Sequence, residues 1–220
     1  SLYISHIISF LIGAKKMVFR YLKSTYFYEG DTYEEKKGLT IVDLDGTLVD
    51  TFYTNYYSYN KALNEYGLRL SEEDFRRVYG LKYDYFLPNL FPTLDHVAIK
   101  EIHNKKKLLY KSFLNKAIVN VQLVELLLLM KKDYFVVCCT TASHENAKQV
   151  LETFNISFFD EIQTQEDVDK PKPNLECYYK LMNKYRTNFS NTIIFEDGNV
   201  GLEVANSFPG LVFLTHFNHE

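Results

Sequence analysis

The sequence predicts an α/β protein with a doubly wound, Rossmann-like parallel sheet and an all-helical cap domain inserted after the first strand. Three observations carry that expectation. Short apolar, β-prone runs alternate with helical periodicity through the second half of the chain. Residues 52–118 show helical patterning and no convincing strand. Carboxylate-bearing turns follow two of the apolar runs, at the strand ends where open α/β sheets bind ligands.

Taken in order, residues 1–36 read as an N-terminal helical extension. The apolar part, residues 2–14, is shorter than the roughly 20 residues a membrane-spanning helix needs, and no membrane partner is expected. The α/β core is assigned to residues 37–51 and 119–220, and the cap to residues 52–118. Residues 39–44 form the first strand and run into the polar turn Asp43-Leu44-Asp45-Gly46-Thr47. Cap helices are expected over residues 53–66, 71–79 and 96–117, with Ser71 and Asp74 as a capping box. Pro88 and Pro92 break the middle of the cap into loop or very short helix. Later strands are expected at 134–140, 158–163, 192–195 and 211–214. Ser143 and Asn174 start the helices between them, as right-handed βαβ units require.

Composition narrows the function classes. With 46% hydrophobic and 24% charged residues, the 220-residue chain is neither disordered nor fibrous. Its net charge of −3 argues against a nucleic-acid binder and favours small-molecule substrates. Cys138, Cys139 and Cys177 lack metal-ligand spacing, which fits a reducing, cytoplasmic location. Charge is divided unevenly: residues 52–118 hold 11 Lys or Arg against 7 Asp or Glu, leaving 14 against 21 elsewhere. A basic cap over an acidic floor attracts an anionic substrate.

Asp43 and Asp45, one residue apart as a strand runs out, can point the same way. Two such carboxylates are costly without a cation, and at the carboxyl edge of a parallel sheet they make a natural metal and phosphate site. Gly46 permits the tight turn that carries Asp45 over that site.

The run from Val42 to Thr51 resembles the first motif of the haloacid dehalogenase-like superfamily, an apolar strand followed by Asp-x-Asp-Gly-Thr. The resemblance covers residues 37–217 and points to the branch of helical-cap enzymes that includes phosphoglycolate phosphatases and β-phosphoglucomutases. It implies that Asp43 is the nucleophile that takes a phosphoryl group, and that Asp45 is the acid and base. The second motif, a hydroxyl after the next core strand, falls on Thr141, with Thr140 as the alternative and Ala142 supplying a backbone N–H. The third, a lysine before a proline-rich turn, falls on Lys170, with Lys172 read as solvent-facing. The fourth is the acidic pair Glu196-Asp197, which with Asp43 and the backbone carbonyl of Asp45 implies a Mg²⁺ site.

The implied activity is a magnesium-dependent phosphatase acting on a small phosphorylated metabolite. Asp45 argues against dehalogenases and phosphonate-cleaving relatives, which lack an aspartate there. A β-phosphoglucomutase-type phosphotransferase and a non-catalytic scaffold on the same fold are the alternatives. Lys82, with Arg76 and Arg77, is the cap candidate for contact with substrate.

Overall fold

The computed structural model describes residues 36–170 and 172–217. The helical extension expected over residues 1–36 therefore lies outside the described residues, Lys36 excepted.

β1 (Gly38–Val42) is buried along its whole length, because it sits at the centre of the sheet with neighbours on both sides. That position explains why it reads as a continuous apolar run rather than an alternating one. The chain next forms a two-residue strand β2 (Val49–Asp50) and enters four helices, α1 (Phe52–Leu63), α2 (Glu72–Val78), α3 (Tyr83–Leu90) and α4 (His96–Tyr110). It returns through β3 (Ile118–Val119), which pairs antiparallel with β2, Val49 opposite Val119 and Asp50 opposite Ile118.

The rest alternates: α5 (Val121–Met130), β4 (Tyr134–Cys139), α6 (His144–Thr153), β5 (Glu161–Gln163), α7 (Glu176–Lys184), β6 (Thr192–Asp197), α8 (Gly198–Ser207) and β7 (Leu211–Thr215). The large sheet runs β5-β4-β1-β6-β7, and every pairing in it is parallel. From β1 the chain winds out to one edge and then crosses to the other side. The carboxyl ends of β1, β4 and β6 thus flank a topological switch point. Val42 pairs with Cys138 and with Phe195, so residues 43, 139–140 and 196–197 leave the sheet side by side.

Separate clusters of buried side chains hold the sheet and the cap. Leu39, Ile41, Val137 and Ile194 of the sheet pack against Tyr178 and Leu181 of α7 and Val204 of α8. Between the four cap helices, Phe52, Tyr59, Phe75, Phe86, Leu87, Ile99 and Ile102 form their own cluster. Its rings meet closely, Phe52 and Phe75 at 5.1 Å and Tyr59 and Phe86 edge-on at 5.2 Å. Each such pair contributes about 0.5–1.5 kcal/mol beyond area burial.

The stretch expected to be broken by proline is instead the two-turn helix α3, with Pro88 inside it. Burial of Phe86 and Leu87 offsets the hydrogen bond that proline cannot make. Two of the helix starts read from sequence are made: Ser71 accepts from the N–H of Asp74, and Ser143 from that of Asn146. The third shifts by one residue: Leu175 is the N-cap of α7, without a side-chain bond, and Asn174 just before it accepts at Oδ1 from the N–H of Glu176.

Candidate active site

Asp43 follows β1 directly, and its N–H donates to the carbonyl of Phe195 at 2.9 Å, which seats it beside the end of β6. Its side chain is buried. The ammonium of Lys172 lies 2.9 Å from Asp43 Oδ1 and also donates to Glu196 Oε1 and to the carbonyl oxygen of Cys139. Burial works against the charge on Lys172, but the carboxylates of Asp43 and Glu196 overrule it and hold its pKa well above the ordinary lysine value.

Lys172 therefore occupies the place assigned to Lys170. Lys170 is exposed, and its backbone N–H donates to Glu176. The physical reason is a repeat: both lysines precede a proline in Lys170-Pro171-Lys172-Pro173, so the string can be read in two registers. Only the path of the loop into α7 decides which lysine turns inward.

A similar shift affects the hydroxyl after β4. Thr140 is buried, bonds the sheet through its N–H to Gln163, and accepts at Oγ1 from the N–H of Ala142 at 3.0 Å. Thr141 is exposed. The N–H of Ala142, expected to serve the ligand, is thus committed to Thr140.

Asp45 turns away from the other carboxylates. Its Oδ1 accepts from Thr51 Oγ1 at 2.5 Å and from the hydroxyl of Tyr110 at 3.3 Å. Burial raises its pKa, and Asp43 adds to the rise against the bond from Thr51 and the charge of Lys106. Gly46 makes the turn possible with φ of +93°, and a Cβ there would lie 2.3 Å from Asp197 Oδ2.

Asp43, Glu196 and Asp197 bring carboxylate oxygens within 4.8 Å of one another. Burial, then Asp43 and Glu196, push the Asp197 carboxyl up to about 7. Three carboxylates against one ammonium leave excess negative charge in a largely buried pocket, and the donors are all hard oxygens. That donor set fits a divalent cation of the magnesium type. The Asp45 side chain is not part of the cluster.

The cap supplies residues that the sequence reading missed. Lys82 is exposed at the start of α3. Arg76 is tied to Glu72 and lies over the Phe52 ring, and Arg77 pairs with Asp74. In their place Tyr79 shares a hydrogen bond with Thr51 at 3.3 Å, and Tyr110 reaches Asp45. Lys106 is buried, its ammonium 4.6 Å from the Tyr110 ring centroid. Burial lowers its pKa to about 8 against the pull of Asp45. One signal was available: Ile99, Ile102, Lys106 and Tyr110 form the buried stripe of α4, and a lysine in an apolar stripe is an anomaly.

Known proteins resemble this chain over the same region. A family model for haloacid dehalogenase-like hydrolases matches residues 40–208. A phosphorylated carbohydrates phosphatase of Thermotoga maritima is 26% identical over 174 residues, covering 76% of this chain and 79% of that protein. CbbY from Rhodobacter sphaeroides, solved in complex with phosphate, superposes with a TM-score of 0.70 at 18% identity, over 83% of this chain and 89% of that one. A protein from Haemophilus somnus 129pt described as a predicted phosphoglycolate phosphatase gives a TM-score of 0.70 at 22% identity, over 82% and 85%. The two solved structures share the fold.

Proposed function

The chain belongs to the haloacid dehalogenase-like hydrolases, and from that premise we propose that it is a magnesium-dependent phosphatase of a small phosphorylated carbohydrate, working through an aspartyl-phosphate on Asp43. The observation that carries this reading is the buried ion pair of Lys172 with Asp43 at the edge of the acidic cluster. It holds one oxygen of Asp43 and leaves the other for attack.

In the first step that oxygen bonds to phosphorus as the ester P–O bond breaks. Asp45, whose raised pKa favours the protonated acid, gives its proton to the departing carbohydrate oxygen. Water then attacks phosphorus, the bond to Asp43 breaks, and Asp45 takes the proton back. Lys172 offsets charge on the transferring group, and the Thr140 hydroxyl, whose oxygen accepts from Ala142 and whose proton meets no acceptor among the described residues, can donate to a phosphoryl oxygen. Asp43, Asp197 and Glu196, with the backbone carbonyl of Asp45, would hold Mg²⁺, which when bound screens the negative charge of carboxylates and phosphoryl oxygens.

Tyr79, Lys106 and Tyr110 supply hydroxyl and ammonium groups around Asp45, where the leaving group departs. Such groups suit a hydroxyl-rich carbohydrate, the substrate class in the name of the Thermotoga relative. Among the described residues no helix is long and apolar enough to cross a membrane, and all three thiols are free and buried. The free thiols fit a reducing compartment such as the cytoplasm.

The test is phosphate release from a panel of sugar phosphates and phosphoglycolate, with Mg²⁺ or with EDTA, for wild type and Asp43→Asn. Release is expected only from wild type with Mg²⁺. Turnover that survives either EDTA or the substitution would sink the proposal.

A further inference from the structure

Glu196 has a partner that neither the motifs nor the reaction scheme uses. Tyr178 lies on α7, fully buried, with its ring 6.2 Å from that of Phe208 and 5.7 Å from the Lys172 ammonium. Its hydroxyl donates to Glu196 Oε1 at 2.6 Å. Lys172 donates to that same oxygen. Glu196 is itself buried, and among the described residues no donor reaches its Oε2.

A glutamate has three side-chain torsions, and one ammonium shared between Asp43 and Glu196 does not fix them. Two donors converging on a single oxygen do, because the carboxylate can turn only by breaking both bonds. The second oxygen is then left for a cation. The same pair of bonds also sets the reach of Lys172: if Glu196 lost the phenol, its full demand for a donor would fall on the ammonium that Asp43 needs.

We infer that Tyr178 is a positioning residue, which fixes Glu196 so that its free oxygen faces the cation held with Asp43 and Asp197, and which keeps Lys172 shared between Glu196 and Asp43. This rests on the proposed metal-dependent reading of the site. It adds to that reading a residue outside the four motifs, acting through Glu196 rather than on the substrate.

The experiment compares wild type, Tyr178→Phe and Tyr185→Phe for binding of Mn²⁺ and Mg²⁺ by titration calorimetry, without substrate. Tyr185 follows α7 and donates its hydroxyl to Glu161, away from the site, so Tyr185→Phe controls for loss of a phenol in this region. Tyr178→Phe is expected to weaken the cation dissociation constant by about 10- to 100-fold, the range for partners that orient metal ligands. Thermal unfolding in EDTA should stay cooperative, and the KM for substrate at saturating Mg²⁺ should stay near the wild-type value. In a Glu196→Gln background the same substitution should add nothing further. Cation binding within twofold of wild type would overturn the inference, as would equal weakening by Tyr185→Phe or a further loss in the Glu196→Gln background. A wild type that binds no divalent cation would overturn the metal-dependent reading as well, so the two failures are distinguishable.

Discussion

Lys172 and Asp43 stand 129 residues apart in the chain, yet their side chains meet at 2.9 Å with almost no solvent access. A buried pair of this kind is of uncertain net value to stability, but removing one partner strands the other and costs about 3–5 kcal/mol. Lys172→Met is therefore expected to lower thermal stability and to reduce kcat about 10²- to 10³-fold, the scale for losing one preorganised charge-stabilising donor. Lys170→Met should leave both near the wild-type values. Phosphate release and thermal unfolding of the two variants, measured together, check the assignment.

Asp45→Asn should separate activity from stability. The native carboxyl has a raised pKa, so its ionisation is harder in the folded chain than in the unfolded one. The sign follows: an acid with a raised folded pKa favours the folded state at low pH, and that advantage is lost as pH rises from the unfolded value of 3.8 through the folded one. Asparagine keeps an acceptor for Thr51 and Tyr110 without the charge. The variant should be inactive and, in metal-free buffer at neutral pH, at least as stable as wild type by denaturant titration.

Lys106 makes the opposite test at alkaline pH. Its pKa falls from 10.5 to about 8 on folding, so between those values the unfolded chain holds a proton that the folded chain has released. Stability then rises with pH across that window, by roughly 3 kcal/mol at most from a shift of this size. Relative to wild type, Lys106→Met should gain stability below pH 8 and lose that advantage towards pH 10.5. Urea midpoints at a series of pH values give the difference directly.

Gly46→Ala combines backbone strain with a collision. At φ of +93° an L residue is disfavoured, and the added carbon would press on the Asp197 carboxylate. We expect a loss of more than about 1 kcal/mol in stability together with weakened Mg²⁺ activation, read from unfolding midpoints and from the Mg²⁺ dependence of phosphate release.

Much of the core was legible because each strand is a short apolar run closed by a polar residue, and because the two acidic turns mark the sheet's carboxyl edge. What escaped the sequence has identifiable causes. β2 and β3 are two residues each, below the length at which alternation carries information. α3 holds a proline that sequence rules treat as a stop, and burial of Phe86 and Leu87 offsets its cost. The Lys-Pro-Lys-Pro repeat conceals its register. Lys82, Arg76 and Arg77 drew attention as charges, but a charge that reaches a site must first be drawn inward, as Lys106 is by its place among isoleucines and tyrosines.

The β2–β3 ribbon carries the chain out to the four helices and back, and Thr51 is the first residue beyond its outgoing strand. Asp45 is thus gripped from two sources: Thr51, at the foot of the ribbon, and Tyr110, at the far end of α4. A swing of the helices about the ribbon would carry Tyr110 and Tyr79 away while Thr51 stayed behind. The acid would then keep one hydroxyl when the site is open to load substrate and regain the second when it shuts, so its proton affinity would be tied to whether the door is closed.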